Sequence, residues 1–280
     1  MADPPPPRER AADVSKGKRF QLWGSKCSDE QRGAMLLDEV AVYSVTDART
    51  ADRITKYAFA LPGGPPRDVC DGCACVGGNV ISFARAGCAV SGIEFDETRC
   101  AFLRHNVATA GVAADVLRGD AAAATGDGGD AAVRAALRRA DLIFFDPPWG
   151  GPGVAAKPEG SVRLDLGGVD LAEICRRCGG AGFRARHALL KVPPNYDHAG
   201  LARDCSSVAD VKVETAFRKM LLLVVSFKPR ADASAEADAD DAGDDAGGDA
   251  GDAPAPAADA PPGDASKKGD VDAKIWAKYT

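Results

Sequence analysis

The sequence lacks an apolar run long enough to span a membrane, and no apolar segment typical of a secretion signal opens the chain. It has nine cysteines, an odd number that does not suggest a disulfide framework. These absences predict an intracellular protein that is kept in a reducing compartment and has no membrane partner.

The cysteine spacing does not make a strong case for a metal. Cys70, Cys73 and Cys75 lie at a predicted strand end and in the loop after it, whereas Cys175 and Cys178 fit one face of a predicted helix. Since free cysteine is also a common small core residue, we predict no metal site.

The last fifty residues lack large apolar side chains until Ile275. From 231 to 280 there are thirteen acidic and four basic residues, a net charge of −9. Since the whole chain carries −6, residues 1–230 carry +3, which is compatible with a polyanionic ligand. A segment of this composition cannot bury enough apolar surface to offset its chain entropy. We therefore predict a disordered acidic tail at 230–280, whose protein partner the sequence does not identify, and a disordered N-terminus at 1–15.

Between these ends, short apolar runs alternate with stretches in which apolar residues have helical spacing. A strand is predicted to end at Cys70, and others to span 89–93, 112–117, 141–145 and 188–192. Helices are predicted at 78–86, 96–110 and 130–139, and a terminal antiparallel strand pair at 208–213 and 220–227. This alternation predicts an α/β, Rossmann-like fold with a mostly parallel sheet. We place its core at 61–229, after an N-terminal arm and helix at 16–60 that complete the site.

Acidic residues follow the first three predicted strands. Asp71 opens a glycine-containing loop that runs to Asn79 and into a helix. This loop is not Gly-x-Gly-x-x-Gly, which disfavours a dinucleotide, while the helix N-terminus favours a carboxylate. Glu94 follows the second strand, where an acid can accept both ribose hydroxyls, and Asp120 follows the third, where it can meet an adenine amino group.

The segment after the fourth strand reads Asp146-Pro147-Pro148-Trp149. Proline has a fixed φ and no N–H, so the chain becomes a rigid loop beyond the strand end, where open α/β sheets bind ligands. An acidic or amide oxygen before Pro-Pro-aromatic is a signature of methyltransferases that act on exocyclic amines of nucleobases. Together with the three acids, it predicts a class I S-adenosyl-L-methionine-dependent methyltransferase.

Further motifs make the chain resemble the trimethylguanosine synthases, which hypermethylate the 7-methylguanosine cap of small nuclear and nucleolar RNAs. These are Pro-Pro-Trp-Gly-Gly-Pro at 147–152, Val-Gly-Gly-Asn at 76–79, Arg-His-Asn-Val at 104–107, Tyr-Ser-Val-Thr at 43–46 and Phe-Gln-Leu-Trp at 20–23. The resemblance implies a nuclear enzyme whose partner is capped RNA. Its activity would be methylation of the cap guanine at N2, giving di- or trimethylguanosine caps.

The resemblance also implies which residues bind the cofactor: Ser44, Thr46, Asp71, Asn79, Glu94 and Asp120. Asp71 and Glu94 would hold its methionine and ribose parts, and Asp120 its adenine. Ser44 and Thr46, which belong to the arm, would close over the cofactor.

For the substrate, the resemblance implies that Asp146 and the carbonyl of Pro147 accept the hydrogen bonds of the amine. Such an amine has its lone pair delocalised into the ring, so catalysis depends mostly on orientation and electrostatics. Trp149 would stack on the positively charged methylated guanine in a cation–π contact, and Trp23 would reach the cap pocket from the other side.

Three positions depart from the family's pattern. Cys-Gly before Val-Gly-Gly is replaced by Ala74-Cys75, and Cys75 would be strained if that position requires a positive φ. The serine that often precedes Pro-Pro is replaced by Asp146. Leu-Pro-Arg-Asn becomes Val-Pro-Pro-Asn at 192–195, so Lys191 or the basic residues at 16, 18 and 19 would have to contact the cap phosphates.

Two alternative functions remain open. The first is a methyltransferase of the same fold that acts on another nucleobase amine, such as guanine N2 in structured RNA or adenine N6. The second is a non-catalytic cap-binding scaffold whose function lies in the tail. Cys75 and the missing arginine keep the second alternative open.

Overall fold

Helices and strands alternate along the chain, as the apolar pattern predicts. The computed structural model describes residues 11–230 apart from 215, 216 and 218. The described helices of the arm are α1 (Lys16–Trp23), α2 (Asp29–Ala34), α3 (Ala41–Ser44) and α4 (Ala48–Phe59). The described helices that follow are α5 (Gly78–Arg85), α6 (Glu97–Thr109), α7 (Ala121–Thr125), α8 (Ala131–Arg139), α9 (Leu171–Cys178) and α10 (His198–Cys205). The strands are β1 (Asp68–Asp71), β2 (Ala89–Glu94), β3 (Asp115–Arg118), β4 (Leu142–Phe145), β5 (Asp165–Leu166), β6 (Val169–Asp170), β7 (His187–Val192), β8 (Ala209–Glu214) and β9 (Leu221–Phe227).

Seven of these strands form one sheet in the order β3-β2-β1-β4-β7-β9-β8. The first five pair in parallel, and β9 runs antiparallel between β7 and β8. The predicted α/β Rossmann-like class, with a terminal antiparallel pair, is confirmed. The direction in which strands are added reverses between β1 and β4, and in such sheets ligands bind beyond the carboxyl ends of the strands at this point.

Both faces of the sheet are covered, which explains the continuous apolar runs of its central strands. All four residues of β4 are buried. Phe144 belongs to a core on one face that also contains residues of the arm, α5 and α6. Ile143 and Phe145 belong to a second core on the other face, with residues of α8 and α9. The arm is therefore packed against the same face of the sheet as the helix that follows β1.

Some boundaries differ from the sequence prediction. β3 begins at Asp115 rather than at 112, because the N–H of Val112 donates to the carbonyl of Val107 and completes the end of α6. The sequence pattern missed α7, α10 and the short β5–β6 pair. No helix in the described part of the chain has the length and apolarity needed to cross a membrane.

The predicted disordered ends fall mainly outside the described residues, at 1–10 and 231–280. The exception is 11–15, where Val14 is buried and the N–H of Ala12 donates to the carbonyl of Leu37. These five residues therefore belong to the folded arm and not to a disordered end.

Candidate active site

The loop after β1 presents a buried acid. Asp71 is fully buried, and its Oδ1 accepts the N–H of Cys73 at 3.1 Å. Its Oδ2 is buried and has no hydrogen-bond partner among the described residues. Burial raises the pKa of Asp71 to about 8, and the negative charges of Asp146 and Glu94 add to this effect. An acceptor in this position suits a cationic ligand group.

Cys75 in the same loop has a φ of 50°, the one positive φ of a non-glycine residue in the described part. The strain that the sequence predicts at this departure from the family's pattern is therefore present. Its N–H donates to Oε2 of Glu94 at 2.9 Å, which ties the loop to the end of β2.

Glu94 is largely buried where β2 ends. Its Oε1 accepts the N–H of Asp96 at 2.9 Å and lies 3.4 Å from Nε of Arg99. Nη1 of Arg99 lies 3.2 Å from Oδ2 of Asp38 in the arm. Asp120 lies at the end of β3, where its Oδ1 accepts the N–H of Ala123 and caps α7. Three predicted cofactor acids thus follow three adjacent strands at the same edge of the sheet.

The arm reaches this edge through Thr46, which is buried. Asn79, at the start of α5, donates from Nδ2 to Oγ1 of Thr46 at 2.9 Å, while its own Oδ1 is buried without a described partner. A Cβ on Gly78 would lie 2.3 Å from the carbonyl oxygen of Thr46, so only glycine permits this close approach. Ser44 is half-buried at the end of α3, two residues before Thr46.

Asp146 follows β4 and forms an ion pair with Lys191 of β7. Nζ of Lys191 lies 2.6 Å from Oδ2 of Asp146, and both side chains are only 12% exposed. The same Nζ donates to Oγ1 of Thr46 at 3.1 Å, and that hydroxyl lies 3.4 Å from Oδ2 of Asp146. Burial raises the pKa of Asp146, and the ammonium of Lys191 acts in the opposite direction.

Trp149 completes this cluster. Its Nε1 donates to the carbonyl of Lys191 at 3.3 Å, and Nζ of Lys191 lies 5.5 Å from the centre of its ring. Gly150 and Gly151, with φ of 81° and 82°, turn the chain directly after the ring. Asn195 holds the far side of this loop by donating to the carbonyls of Val154 at 2.7 Å and Lys157 at 2.9 Å. The result is a carboxylate and an aromatic ring fixed beside the loop of Asp71 and Asn79.

A family model described as RNA cap guanine-N2 methyltransferase matches residues 67–210, just over half of the chain. The chain belongs to this family. The trimethylguanosine synthase of Schizosaccharomyces pombe is 31% identical over 155 residues, which cover 54% of this chain and 59% of that protein. An uncharacterized protein of Acanthamoeba polyphaga mimivirus is 29% identical over 126 residues, 44% of each chain. The chain therefore spans about half the length of these curated relatives.

Solved structures with a similar fold include a Thermus thermophilus 16S rRNA N2 methyltransferase in complex with AdoMet and guanosine. It is 17% identical, with a TM-score of 0.48, and covers 69% of this chain and 46% of its own. TrmN from Thermus thermophilus has a TM-score of 0.45 at 16% identity and covers 67% of this chain and 51% of its own. Family membership confirms the predicted cofactor, S-adenosyl-L-methionine.

Two substrate predictions need correction in this member of the cap guanine-N2 methyltransferase family. Trp23 is only 3% exposed and belongs to the core beneath the arm, so its ring has no open face for a base. Lys191 points inward to Asp146 and Thr46, so its ammonium is not presented to cap phosphates. Arg19, one of the basic residues predicted to contact the cap phosphates, donates hydrogen bonds to the carbonyls of Arg32 and Met35 instead.

Sequence reasoning missed the role of Asn106, although it lies in a motif that carried the resemblance. This residue is fully buried in α6. Its Oδ1 accepts the N–H of Leu36 at 2.8 Å, and its Nδ2 donates at 2.9 Å to the carbonyls of Leu36 and Val76. One amide therefore joins the arm, α6 and the cofactor loop.

Phe95 was also missed. It follows Glu94 directly, and 74% of its surface is exposed, which is unusual for a large apolar side chain. An acid followed by an aromatic at a strand end was the signal that could have identified it.

Proposed function

We propose that this protein transfers a methyl group from S-adenosyl-L-methionine to N2 of the guanine in a 7-methylguanosine RNA cap. The observation that carries the proposal is the carboxylate of Asp146. It lies at the carboxyl end of β4, held through one oxygen by Lys191 and Thr46 and next to the ring of Trp149. A fixed acceptor next to an aromatic surface suits an amino group on a planar base.

The cofactor residues fit S-adenosyl-L-methionine. Oδ2 of Asp71 and Oδ1 of Asn79 are buried acceptors without described partners, as a cationic amino group requires. Glu94 would bind the ribose hydroxyls, Asp120 the adenine amine, and Phe95 would cover the adenine ring. The cofactor supplies an electrophilic methyl group when bound. Thr46 and Ser44 would close the arm over it and exclude water.

The substrate amine is a weak nucleophile, so its orientation matters most. Because Lys191 and Thr46 occupy Oδ2 of Asp146, we assign Oδ1 to one N–H of the amine and the carbonyl of Pro147 to the other. Two acceptors in this arrangement would fix the orientation of the nitrogen lone pair, and the cofactor would supply the methyl group. The methylated nitrogen would release its proton to water, so the site requires no strong general base.

One observation favours a second substrate. The ammonium of Lys191 balances the charge of Asp146, which weakens the attraction of this pocket for a positively charged 7-methylated base. An unmethylated guanine N2, or another nucleobase amine, is therefore the competing substrate. The S. pombe relative, a trimethylguanosine synthase, supports the cap. The resemblance of the sequence motifs extends the proposal to small nuclear and nucleolar RNA as partner and to the nucleus as location.

The test measures methyl transfer from labelled cofactor to a 7-methylguanosine cap analogue, with the unmethylated guanosine cap as the control. Product on the methylated cap alone supports the proposal, and equal product on both supports the second substrate. No product on either cap overturns the proposed cap activity and points to another nucleobase amine or to a protein that only binds.

A matched pair of variants then tests Asp146. Asp146→Asn keeps the side-chain shape, whereas Asp146→Ala removes the acceptor and leaves Lys191 without its partner. We expect both to retain cofactor binding, measured by calorimetry. Asp146→Ala should lose most of the turnover, whereas Asp146→Asn, whose amide oxygen can still accept a hydrogen bond from the amine, should keep more of it. Full turnover in folded Asp146→Ala would refute the role assigned to this carboxylate.

A further inference from the structure

A groove of about 790 Å³ lies between α1, the face of α4 and the first turns of α5. Two of its lining residues are sequence neighbours of residues in the candidate site. Asp47 and Gly78 line it, and they are the direct neighbours of Thr46 and Asn79, which hydrogen-bond to each other at the site. The groove therefore borders the candidate site at this contact.

The groove is basic. Five basic and two acidic side chains line it, which gives +3: Lys26, Arg49, Arg53, Lys56, Arg85, Asp47 and Asp52. Both acids are engaged, since Asp52 pairs with Lys26 at 2.8 Å and Asp47 caps α4 by accepting the N–H of Thr50. The groove therefore presents a surplus of positive charge.

The charges on α4 are spaced to follow one face. Arg49, Arg53 and Lys56 are exposed and occur at intervals of four and three residues, which places them on one side of a helix. At the opposite wall, Phe20 is 52% exposed and the guanidinium of Arg32 lies 4.9 Å from its ring centre. Arg53 also lies over the ring of Phe217, 4.5 Å from its centre. Cations along one face of a helix, with a partly exposed aromatic ring in the same groove, are a combination that binds single-stranded nucleic acid through phosphates and stacked bases.

We propose that this groove binds the single-stranded RNA that follows the cap, with its phosphates along α4. The inference rests on the proposed function for its substrate, and it gives the arm a second task beside closing the site. It also replaces Lys191 as the source of phosphate contacts, since that side chain faces Asp146.

The test compares two substrates in the full chain: a capped dinucleotide and a capped, unstructured RNA of about ten nucleotides. The variant is Arg49→Glu combined with Lys56→Gln. A carboxylate in the first turn of α4 interacts favourably with the helix N-terminus, so this variant should remain folded. Arg203→Glu, an exposed charge reversal on α10 outside the groove, is the control.

We expect the KM of the variant for the capped RNA to rise roughly tenfold. The slope of log KM against log salt concentration should decrease by about 1.4, as for two lost phosphate contacts on a single strand. The KM of the variant for the capped dinucleotide should not change. The KM of Arg203→Glu should not change for either substrate. Equal effects on both substrates, or no effect on either, would overturn the inference.

Failure of the proposed function can be recognised separately. If the wild-type protein methylates neither substrate, binding of a fluorescent uncapped RNA of the same length still decides the inference. Weaker binding by the variant than by Arg203→Glu supports the groove, and equal binding overturns it.

Discussion

Replacing Asp71 by asparagine should change how stability depends on pH. Asp71 is fully buried, and its pKa is raised from an ordinary value near 4 to about 8 by burial. Between these two values the folded protein holds a proton on Asp71 that the unfolded chain has lost. The stability of the wild type must therefore fall as pH rises through this window, with a limiting slope of about 1.4 kcal/mol per pH unit from this group.

Asp71→Asn does not titrate at this position, so its stability relative to wild type should increase with pH. From pH 5 to pH 7 the difference in unfolding free energy should grow by about 2.8 kcal/mol, in favour of the variant. Urea denaturation of both proteins at pH 5, 6 and 7 measures this difference. A difference that stays constant over this range would refute the argument that Asp71 is protonated when the site is empty.

The same argument makes a prediction for the cofactor. A cationic amino group next to Oδ2 favours the ionised form of Asp71, so binding should release a proton below pH 8. The affinity of the wild type for S-adenosylhomocysteine should weaken as pH falls from 8 to 6, by up to roughly tenfold per unit. Calorimetry in buffers of different ionisation enthalpy measures the proton release. Asp71→Asn should bind weakly at every pH and release no proton at this site.

Three further substitutions test the packing around the site. Lys191→Met should cost about 3–5 kcal/mol of unfolding free energy, since it leaves Asp146 buried without its cation; Lys191→Met with Asp146→Ser should recover most of this loss in urea denaturation. Gly78→Ala should cost about 1–3 kcal/mol and make the arm more sensitive to limited proteolysis, because the new Cβ meets the carbonyl of Thr46. Cys75→Gly should raise the thermal midpoint by removing about 1 kcal/mol of backbone strain, and a lower midpoint would contradict this.

Much of the sheet could be predicted because its strands are buried apolar runs with clear ends. The strand Leu142–Phe145 is followed by Asp146 and two prolines, and the strand Ala89–Glu94 ends in an acid. The β5–β6 pair could not be predicted, because two-residue strands are shorter than any alternating pattern. Helix α10 is short and contains Gly200, which weakens its helical signal.

The positions of the cofactor acids could also be predicted, since each follows a strand. The pairing of Asp146 with Lys191 could not, because it depends on which strand lies beside β4. In the sheet Phe145 pairs with Leu190, so the next residue of each strand comes into register. The burial of Trp23 was equally hidden, because an aromatic residue at a helix end has the same appearance in sequence whether it packs inward or binds a base.

The amide of Asn106 has a consequence for how the protein assembles. It satisfies backbone groups from the arm and from the cofactor loop at once, across separations of 70 and 30 residues. If the arm detaches, the amide loses its partners at Leu36, and the hold on Val76 loosens with it. Arm docking and cofactor binding should therefore be thermodynamically linked, so that each one makes the other more favourable. Binding of the methyl donor should therefore also favour the docked position of the arm at 16–60.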